Sequence, residues 1–345
     1  MKTTIIICFM SVLLFSCNSK KETENYTFNK NSAVDISQVK IEPEIDITLE
    51  TTESALLPSY ANLCMDKDNF FLYTQNAIIR YDKQGHPVNK IGSLGHGKGE
   101  FVELNDIFVN ENNKTVEVLA PGAVYTYDYY GKFIAKKTTE IEAVSFVRNN
   151  EKYWFSTGHN QFDTFALFRT NKNFDIEEKF LDAEYGIPIK ENNFGKGTVL
   201  TYKESFIHDI YKIEQDNLVL AHRLTFTDLE IPSNLFKGNV EDIMNKMSRN
   251  SYAVVYCFLE NENYIYMLVD EYMEGGEINA YHWIINKTIS KDMIIKLDSG
   301  ALESFHYNPQ ILTEQNIVYF VGYPTANEDE TANPHIIGID LSKII

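Results

Sequence analysis

The sequence predicts an all-β fold: a six-bladed β-propeller of four-stranded antiparallel blades, with a short helical insertion between blades 4 and 5. Short runs of β-branched and aromatic residues alternate with turns rich in Asn, Asp and Gly, which is the pattern of consecutive hairpins. The turns recur at a spacing of about 40 residues, which is the length of one propeller blade. A closed ring also removes most of the exposed sheet edges that separate hairpins would leave.

Four repeats share the same order of turn, strand, turn and strand. They begin at the turns formed by residues 66–69, 110–113, 149–151 and 260–263. Two less regular repeats, one centred on residues 206–226 and one on 317–341, bring the number to six. The apolar segment Val39–Leu49 is expected to pair with the last repeat around Ile336–Ile339 and so to close the ring.

Residues 1–16 have the composition of a bacterial lipoprotein signal peptide. A single charge precedes an apolar stretch, residues 5–15, that is too short to span a bilayer as a helix. The run Leu14-Phe15-Ser16-Cys17 resembles a lipobox, in which Cys17 would be diacylated and become the new N-terminus. The alternative is ordinary signal cleavage near the same point, with the cysteine incidental.

The residues that follow are expected to form a lipid-anchored flexible tether, 17–38, before a propeller that covers 39–345. Residues 18–31 are polar and nearly free of large apolar side chains, so they cannot bury enough surface to offset the entropy of ordering. The charged cluster 20–24 is similar to surface-export signals of Bacteroidetes lipoproteins, although its charges are of mixed sign. We therefore expect an outer-membrane lipoprotein, either displayed at the cell surface or facing the periplasm.

Net charge and cysteine content limit the partners. The formal net charge of −18 repels phosphate backbones and anionic lipid surfaces, so nucleic acid is excluded and the membrane is contacted through the lipid anchor only. Cys64 and Cys257 fall in blades 1 and 5, which blade 6 separates, and a disulfide needs Cα atoms within about 7 Å. The sequence therefore predicts two free thiols, in a chain expected to be a monomer.

Two segments carry a family resemblance. Residues 90–101 are glycine-rich, end in Gly-Glu-Phe and look like the blade-joining loop of NHL-type propellers. Residues 209–213, followed by 224–226, are similar to a middle blade of the Bacteroidetes six-bladed β-propeller lipoproteins. The resemblance covers roughly residues 39–345 and implies the propeller fold and a cell-envelope location. Most members of that family have no assigned activity, so it implies no reaction.

Three blade-joining segments are long: residues 92–105, 182–198 and 232–250. Because strand direction alternates within a blade, all three are expected on one face, and loops on a rigid scaffold commonly carry function. The third segment is predicted to hold a helix, since Val240, Ile243, Met244 and Met247 form one apolar stripe. That helix could pack on the rim of the ring or act as a mobile lid over the channel.

Five polar residues near the predicted entrances of the inner strands are weak candidates for ligand contacts at the channel mouth. They are Asn105, Asp106, Glu142, His208 and His306. A shift of one residue in strand register would turn each of these side chains to the other face of its sheet.

No catalytic motif stands out in the sequence, which favours a protein that is not an enzyme. We expect a non-catalytic binding or scaffold module that presents its loop-rich face to a glycan, a peptide or an envelope protein, without a cofactor. The alternative is a calcium-assisted hydrolase or lyase, which needs carboxylates or histidines from several inner strands to converge in the central channel.

Overall fold

The computed structural model describes residues 23–57, 60–158, 164–182, 193–204, 206–231, 235, 240–297, 309–322 and 332–345. The elements, in chain order, are β1 (Glu24–Phe28), β2 (Val34–Asp35), β3 (Ile45–Thr48), β4 (Asn62–Met65), β5 (Asn69–Tyr73), β6 (Ile78–Asp82), β7 (Pro87–Lys90), β8 (Asp106–Asn110), β9 (Thr115–Ala120), β10 (Ala123–Asp128), β11 (Phe133–Thr138), β12 (Ser145–Asn149), β13 (Lys152–Ser156), β14 (Phe165–Thr170), β15 (Ile176–Asp182), β16 (Phe194–Lys196), β17 (Leu200–Lys203), β18 (Asp209–Glu214), β19 (Asn217–Phe226), α1 (Val240–Met247), β20 (Tyr252–Glu260), β21 (Tyr264–Tyr272), β22 (Ile278–Asn286), β23 (Lys291–Lys296), β24 (Pro309–Leu312), β25 (Ile317–Gly322) and β26 (His335–Asp340). Short 3-10 turns lie at Lys30–Ser32, Ile36–Gln38 and Leu341–Lys343.

Each blade is a four-stranded antiparallel sheet of consecutive strands. Blades 1 to 5 are β4–β7, β8–β11, β12–β15, β16–β19 and β20–β23, and blade 6 is β24–β26 together with β3. The first strands of neighbouring blades contact one another around the centre of the ring. The predicted six-bladed propeller is confirmed, and α1 lies between blades 4 and 5 as expected.

The ring closes through a strand from the N-terminal part of the chain. β3 pairs antiparallel with β26, with Ile47 opposite Ile336 and Ile45 opposite Gly338. Gly338 is needed here, because a Cβ at this position would lie 3.0 Å from the side chains of Ile45 and Ile317. The structure thus confirms the predicted pairing of the closing strand with the last blade.

The structure corrects the predicted extent of the flexible tether. β1 pairs in parallel with β19 as a fifth strand of blade 4, and β2 pairs in parallel with β23 of blade 5. We call residues 24–38 the N-terminal strap. Its Phe28 is fully buried, with ring centroids 5.3 Å from Phe226 and 5.5 Å from Trp283. Burial of this aromatic side chain and pairing with two open strand edges contribute to ordering this polar segment.

A buried carboxylate joins blades 4 and 5 next to the start of the strap. Glu260, fully buried, accepts hydrogen bonds from Lys212 Nζ and Lys287 Nζ at 2.8 Å, and its other oxygen lies 2.8 Å from His222 Nε2. The second ring nitrogen of His222 lies 3.1 Å from Glu24 of β1. Burial by itself raises the pKa of Glu260, but the hydrogen bonds and positive charges outweigh it and hold the pKa at about 2.

Replacing Phe28 tests whether the strap is part of the folded body. Phe28→Ala removes a fully buried aromatic ring between blades 4 and 5, so we expect it to lower the free energy of unfolding by about 3–5 kcal/mol. Asn25→Ala, at an exposed position of the same strand, is the control and should change it by less than about 0.5 kcal/mol. Urea unfolding measures the change in the free energy of unfolding for both variants. Equally small changes would show that the strap is a free tether.

The Glu260 cluster predicts a specific sensitivity to acid. Because the folded-state pKa is depressed from 4.5 to about 2, the stabilisation is complete above about pH 5 and is lost as the pH falls from there towards 2. Its full size is on the order of 3 kcal/mol, of which roughly 2 kcal/mol is lost by pH 3.

Glu260→Gln should remove this part of the pH dependence, and it should cost about 3–5 kcal/mol at pH 7 because two lysines lose their buried counter-charge. Urea unfolding at pH 7 and pH 3 gives both quantities. The exposed neighbour Glu262→Gln serves as the control and should behave as the unchanged protein does.

Candidate functional site

A lysine from blade 4 crosses the centre of the ring. Lys196 Nζ donates to Tyr73 Oη at 2.9 Å and to Cys64 Sγ at 3.3 Å, and it lies 3.8 Å from Asp106 Oδ1. These three partners belong to blades 1 and 2, on the opposite side of the channel. Lys196 therefore links blade 4 directly to the far side of the ring.

Two glycines allow β16 to hold this lysine in position. A Cβ at Gly195 would lie 2.4 Å from the carbonyl oxygen of Phe258, and one at Gly197 would lie 2.1 Å from that of Glu260. Both contacts are far shorter than side chains tolerate, so only glycine permits β16 to approach β20 this closely. The Gly-Lys-Gly sequence thus sets the distance between blades 4 and 5 and places the lysine between them.

The carboxylate of Asp106 accepts hydrogen bonds from donors in three blades. Oδ1 accepts from Tyr73 Oη at 2.6 Å and from the amide of Ile107 at 2.9 Å, while Oδ2 accepts from the amide of Phe146 at 3.2 Å. Burial, and next the nearby Asp106 carboxylate, raise the pKa of Tyr73 well above its ordinary value. The role of Asp106 in the described structure is to join blades 1, 2 and 3.

The ionisable groups around the channel keep the protonation states that are usual for their residue types at neutral pH. Burial lowers the pKa of Lys196, but the hydrogen bond to Tyr73 and the negative charge of Asp106 outweigh burial, so the pKa lies well above the usual range and the lysine stays charged. Burial raises the pKa of the Cys64 thiol, and it raises the pKa of Cys257 to about 12. Both cysteines are free, as predicted, and both are protonated near neutral pH.

The remaining candidate residues lie apart from this cluster or outside the described residues. Asn105 Nδ2 donates to the carbonyl of Ala143 at 2.9 Å, next to the exposed Glu142. His208 packs against Phe226 with ring centroids 4.3 Å apart, and its Nε2 lies 3.2 Å from the carbonyl oxygen of Ala253.

Burial lowers the pKa of His208, so its imidazole is neutral at pH 7. Of the described candidates, only Asp106 touches the group around Lys196. His306 and Cys17 lie outside the residues that the structure describes.

The two ends of the propeller differ in their connections. The blade-joining segments and the loops between second and third strands open at one end, which we call the loop face. The tight turns between first and second strands, and between third and fourth strands, open at the other end, which we call the turn face. This arrangement follows from the alternating strand directions within each blade.

Large apolar side chains are exposed on the two loop-face segments that flank blade 1. Leu56 and Tyr60 precede β4 and are 50% and 85% exposed, while Leu94 and Val102 follow β7 and are 43% and 54% exposed. Tyr60 also has a φ of 71°, in the left-handed region that side chains rarely adopt. Backbone strain of this kind is concentrated at functional positions in proteins.

The loop face is also acidic. Its exposed or half-exposed acidic residues in the described segments are Glu50, Glu53, Glu100, Glu103, Glu140, Glu142, Asp228, Glu230, Glu241, Asp242, Glu274 and Glu277. Against these stand Lys98, Lys246 and Arg249. A surface of this kind repels anions and attracts cationic partners.

Within the described ranges, no three His, Cys, Asp or Glu side chains are grouped closely enough to hold a metal ion. No helix among the same residues has the length and apolar character needed to cross a membrane.

The chain matches a family described as a domain of unknown function, DUF4934, over residues 26–334. Its fold is similar to that of a Bacteroides fragilis protein described as exported, with a TM-score of 0.74 and 15% identity, covering 92% of this chain and 99% of that one. A Bacteroides vulgatus member of the DUF4221 family has a TM-score of 0.59 and 9% identity, covering 87% and 98%. No curated protein matches the chain.

Removing calcium should leave the stability unchanged. The Asp106 oxygens accept hydrogen bonds from Tyr73, Ile107 and Phe146, so a calcium ion at the channel would have to displace these internal donors. We expect the unfolding temperature to be the same in EDTA and in millimolar calcium. Calcium at about 100 times its Kd would add roughly 2.7 kcal/mol to a protein that binds it, so a calcium-reversible rise of several degrees would favour the hydrolase alternative.

Proposed function

The chain belongs to the family of unknown function DUF4934, and we propose that it is a non-catalytic binding or scaffold module of the bacterial cell envelope. In this proposal Cys17 carries the lipid that anchors the chain to the outer membrane. The loop face is presented to a protein or peptide partner, with a glycan as the alternative ligand. The propeller fold and the similarity to a protein described as exported agree with such a role.

One observation carries the proposal: four large apolar side chains, Leu56, Tyr60, Leu94 and Val102, are exposed on the segments that flank blade 1. The two segments lie on the same face, one on each side of blade 1, so a single partner that covers this blade would contact all four side chains. Three of the four are aliphatic, and aliphatic side chains suit contact with a protein or peptide better than stacking on a sugar ring.

The chemistry around the channel supports binding rather than catalysis. A general acid or base needs a pKa near the working pH. Lys196 and Tyr73 have raised pKa values and the Cys64 thiol is protonated, so none of the three exchanges protons readily near pH 7. Their hydrogen bonds join blades, which is a structural role.

Two tyrosines of nearly equal exposure provide a matched test. Tyr60 is 85% exposed on the loop face, and Tyr130 is 81% exposed on the turn face. We expect Tyr60→Asn to weaken capture of envelope proteins by the intact chain about tenfold or more, since interface aromatic residues often contribute more than 1.4 kcal/mol to binding. Tyr130→Asn should leave capture unchanged, and asparagine tolerates the left-handed backbone at position 60.

Capture is measured by cross-linking the purified chain to detergent-solubilised envelope proteins and quantifying the cross-linked species by mass spectrometry. Thermal unfolding of both variants should match that of the unchanged protein, because both sites are on the surface. The proposal fails if the two variants reduce capture equally or if Tyr60→Asn has no effect. A glycan array probed with the same three proteins tests the alternative ligand.

A further inference from the structure

We infer that the propeller stands on the membrane with its turn face towards the bilayer and its loop face pointing away. This inference rests on the proposed lipid anchor at Cys17. It adds to that proposal a defined orientation and names the turn face as the surface that lies next to lipid.

The N-terminal strap joins the body at the turn face. Glu24, the first residue of β1, lies 3.1 Å from the ring of His222, which in turn contacts Glu260. Glu260 is the last residue of the inner strand β20, and its partner Lys287 lies in the turn between β22 and β23. Both features belong to the turn face. From there β1 runs towards the loop face, since Phe28 pairs with Phe226 at the loop-face end of β19.

The strap is held too firmly to act as tether. Phe28 is fully buried, and Lys30 Nζ lies 2.5 Å from the buried carboxylate of Glu271, which also accepts a hydrogen bond from Tyr281 at 2.7 Å. Detaching the strap would expose the aromatic ring of Phe28 and remove Lys30 from the buried carboxylate of Glu271. The connection between lipid and body therefore ends at Glu24.

A short connection restricts how the body can turn. From Cys17 to Glu24 the chain reaches at most about 25 Å, at ~3.6 Å per residue. If residues 17–38 were all free, the same calculation would give about 80 Å, more than the ~50 Å diameter of a compact domain of this size. With the strap docked, the attachment point stays close to the bilayer, and the turn face beside it stays close as well.

The distribution of surface charge favours the same orientation. In blade 5, the hairpin tip on the loop face carries the exposed Glu274 and Glu277. At the opposite end Lys287 is paired with Glu260, and the exposed Lys291 is balanced by the exposed Glu262, so that end is close to neutral. Anionic lipid headgroups attract basic residues by about 1 kcal/mol each and repel acidic ones. The excess of acidic residues on the loop face as a whole therefore favours the same orientation.

Fluorescence resonance energy transfer from a dye on the protein to dyes on the membrane surface tests the orientation. The full-length lipidated chain is labelled with a donor dye at Glu274→Cys or at Thr288→Cys, two exposed positions at opposite ends of blade 5. Each protein is reconstituted into vesicles of phosphatidylethanolamine and phosphatidylglycerol with an acceptor dye on the headgroups. β22 spans nine residues, about 30 Å, so we expect about twofold more transfer from position 288 than from position 274.

Equal transfer from both positions, or more from position 274, would overturn the orientation while leaving the anchor intact. The unsubstituted chain measures background labelling of Cys64 and Cys257. Cys17→Ser should abolish vesicle binding. If this variant binds vesicles as the unchanged chain does, both the proposed anchor and the orientation are wrong. The loop-face binding proposal is tested separately, by the comparison of the Tyr60 and Tyr130 variants.

Lengthening the connection between Cys17 and Glu24 distinguishes the effect of its short reach from the effect of surface charge. Inserting ten Gly and Ser residues after Lys21 extends the reach to about 60 Å without altering the described residues. We expect the ratio of transfer between positions 288 and 274 to fall towards one, with an unchanged unfolding temperature. A ratio that the insertion leaves unchanged would contradict the restriction by the short connection.

Discussion

The pairing of β3 with β26 is the constraint on which the rest of the structure depends, because the N-terminal part of the chain supplies the outer strand of the last blade. The chain then passes from β3 to β4, so this pairing ties blade 6 to blade 1. In the structure the residues that precede β3 run along the outer strands of blades 4 and 5. The buried Phe28 ring and the ion pair of Lys30 with Glu271 hold them on this path.

The sequence was sufficient to predict the blades and their closure, because both depend on local patterns. Turn residues recur at the blade spacing, and the alternation around Ile47 matches a strand. The strap escaped prediction because its stabilisation is not local. Tyr26 and Phe28 are two apolar residues in a polar stretch, and only the distant Phe226 and Trp283 make their burial favourable. Composition over a short window cannot reveal such partners.

The candidate site, like the fold, could be predicted from the sequence only in part. The position of Asp106 at the start of an inner strand follows from the blade pattern, and the structure places it beside the channel cluster. Its partner Lys196 comes from the opposite side of the ring, and no spacing in the sequence encodes that distance. The one available signal was the pair Gly195 and Gly197 around a single lysine, which indicates a close backbone approach rather than part of a long joining loop.

The two faces and the centre of the ring thus serve different physical purposes. At the centre, Lys196 donates a hydrogen bond to Tyr73, and Tyr73 donates one to Asp106. These polar groups therefore hold blades together and offer little to a ligand. At the turn face, the charge of Glu260 is used to join blades 4 and 5. On the loop face, large apolar side chains and a strained Tyr60 remain exposed. Tyr130 shows that the turn face exposes apolar surface as well, so the preference for the loop face rests on its acidic excess and its long joining segments.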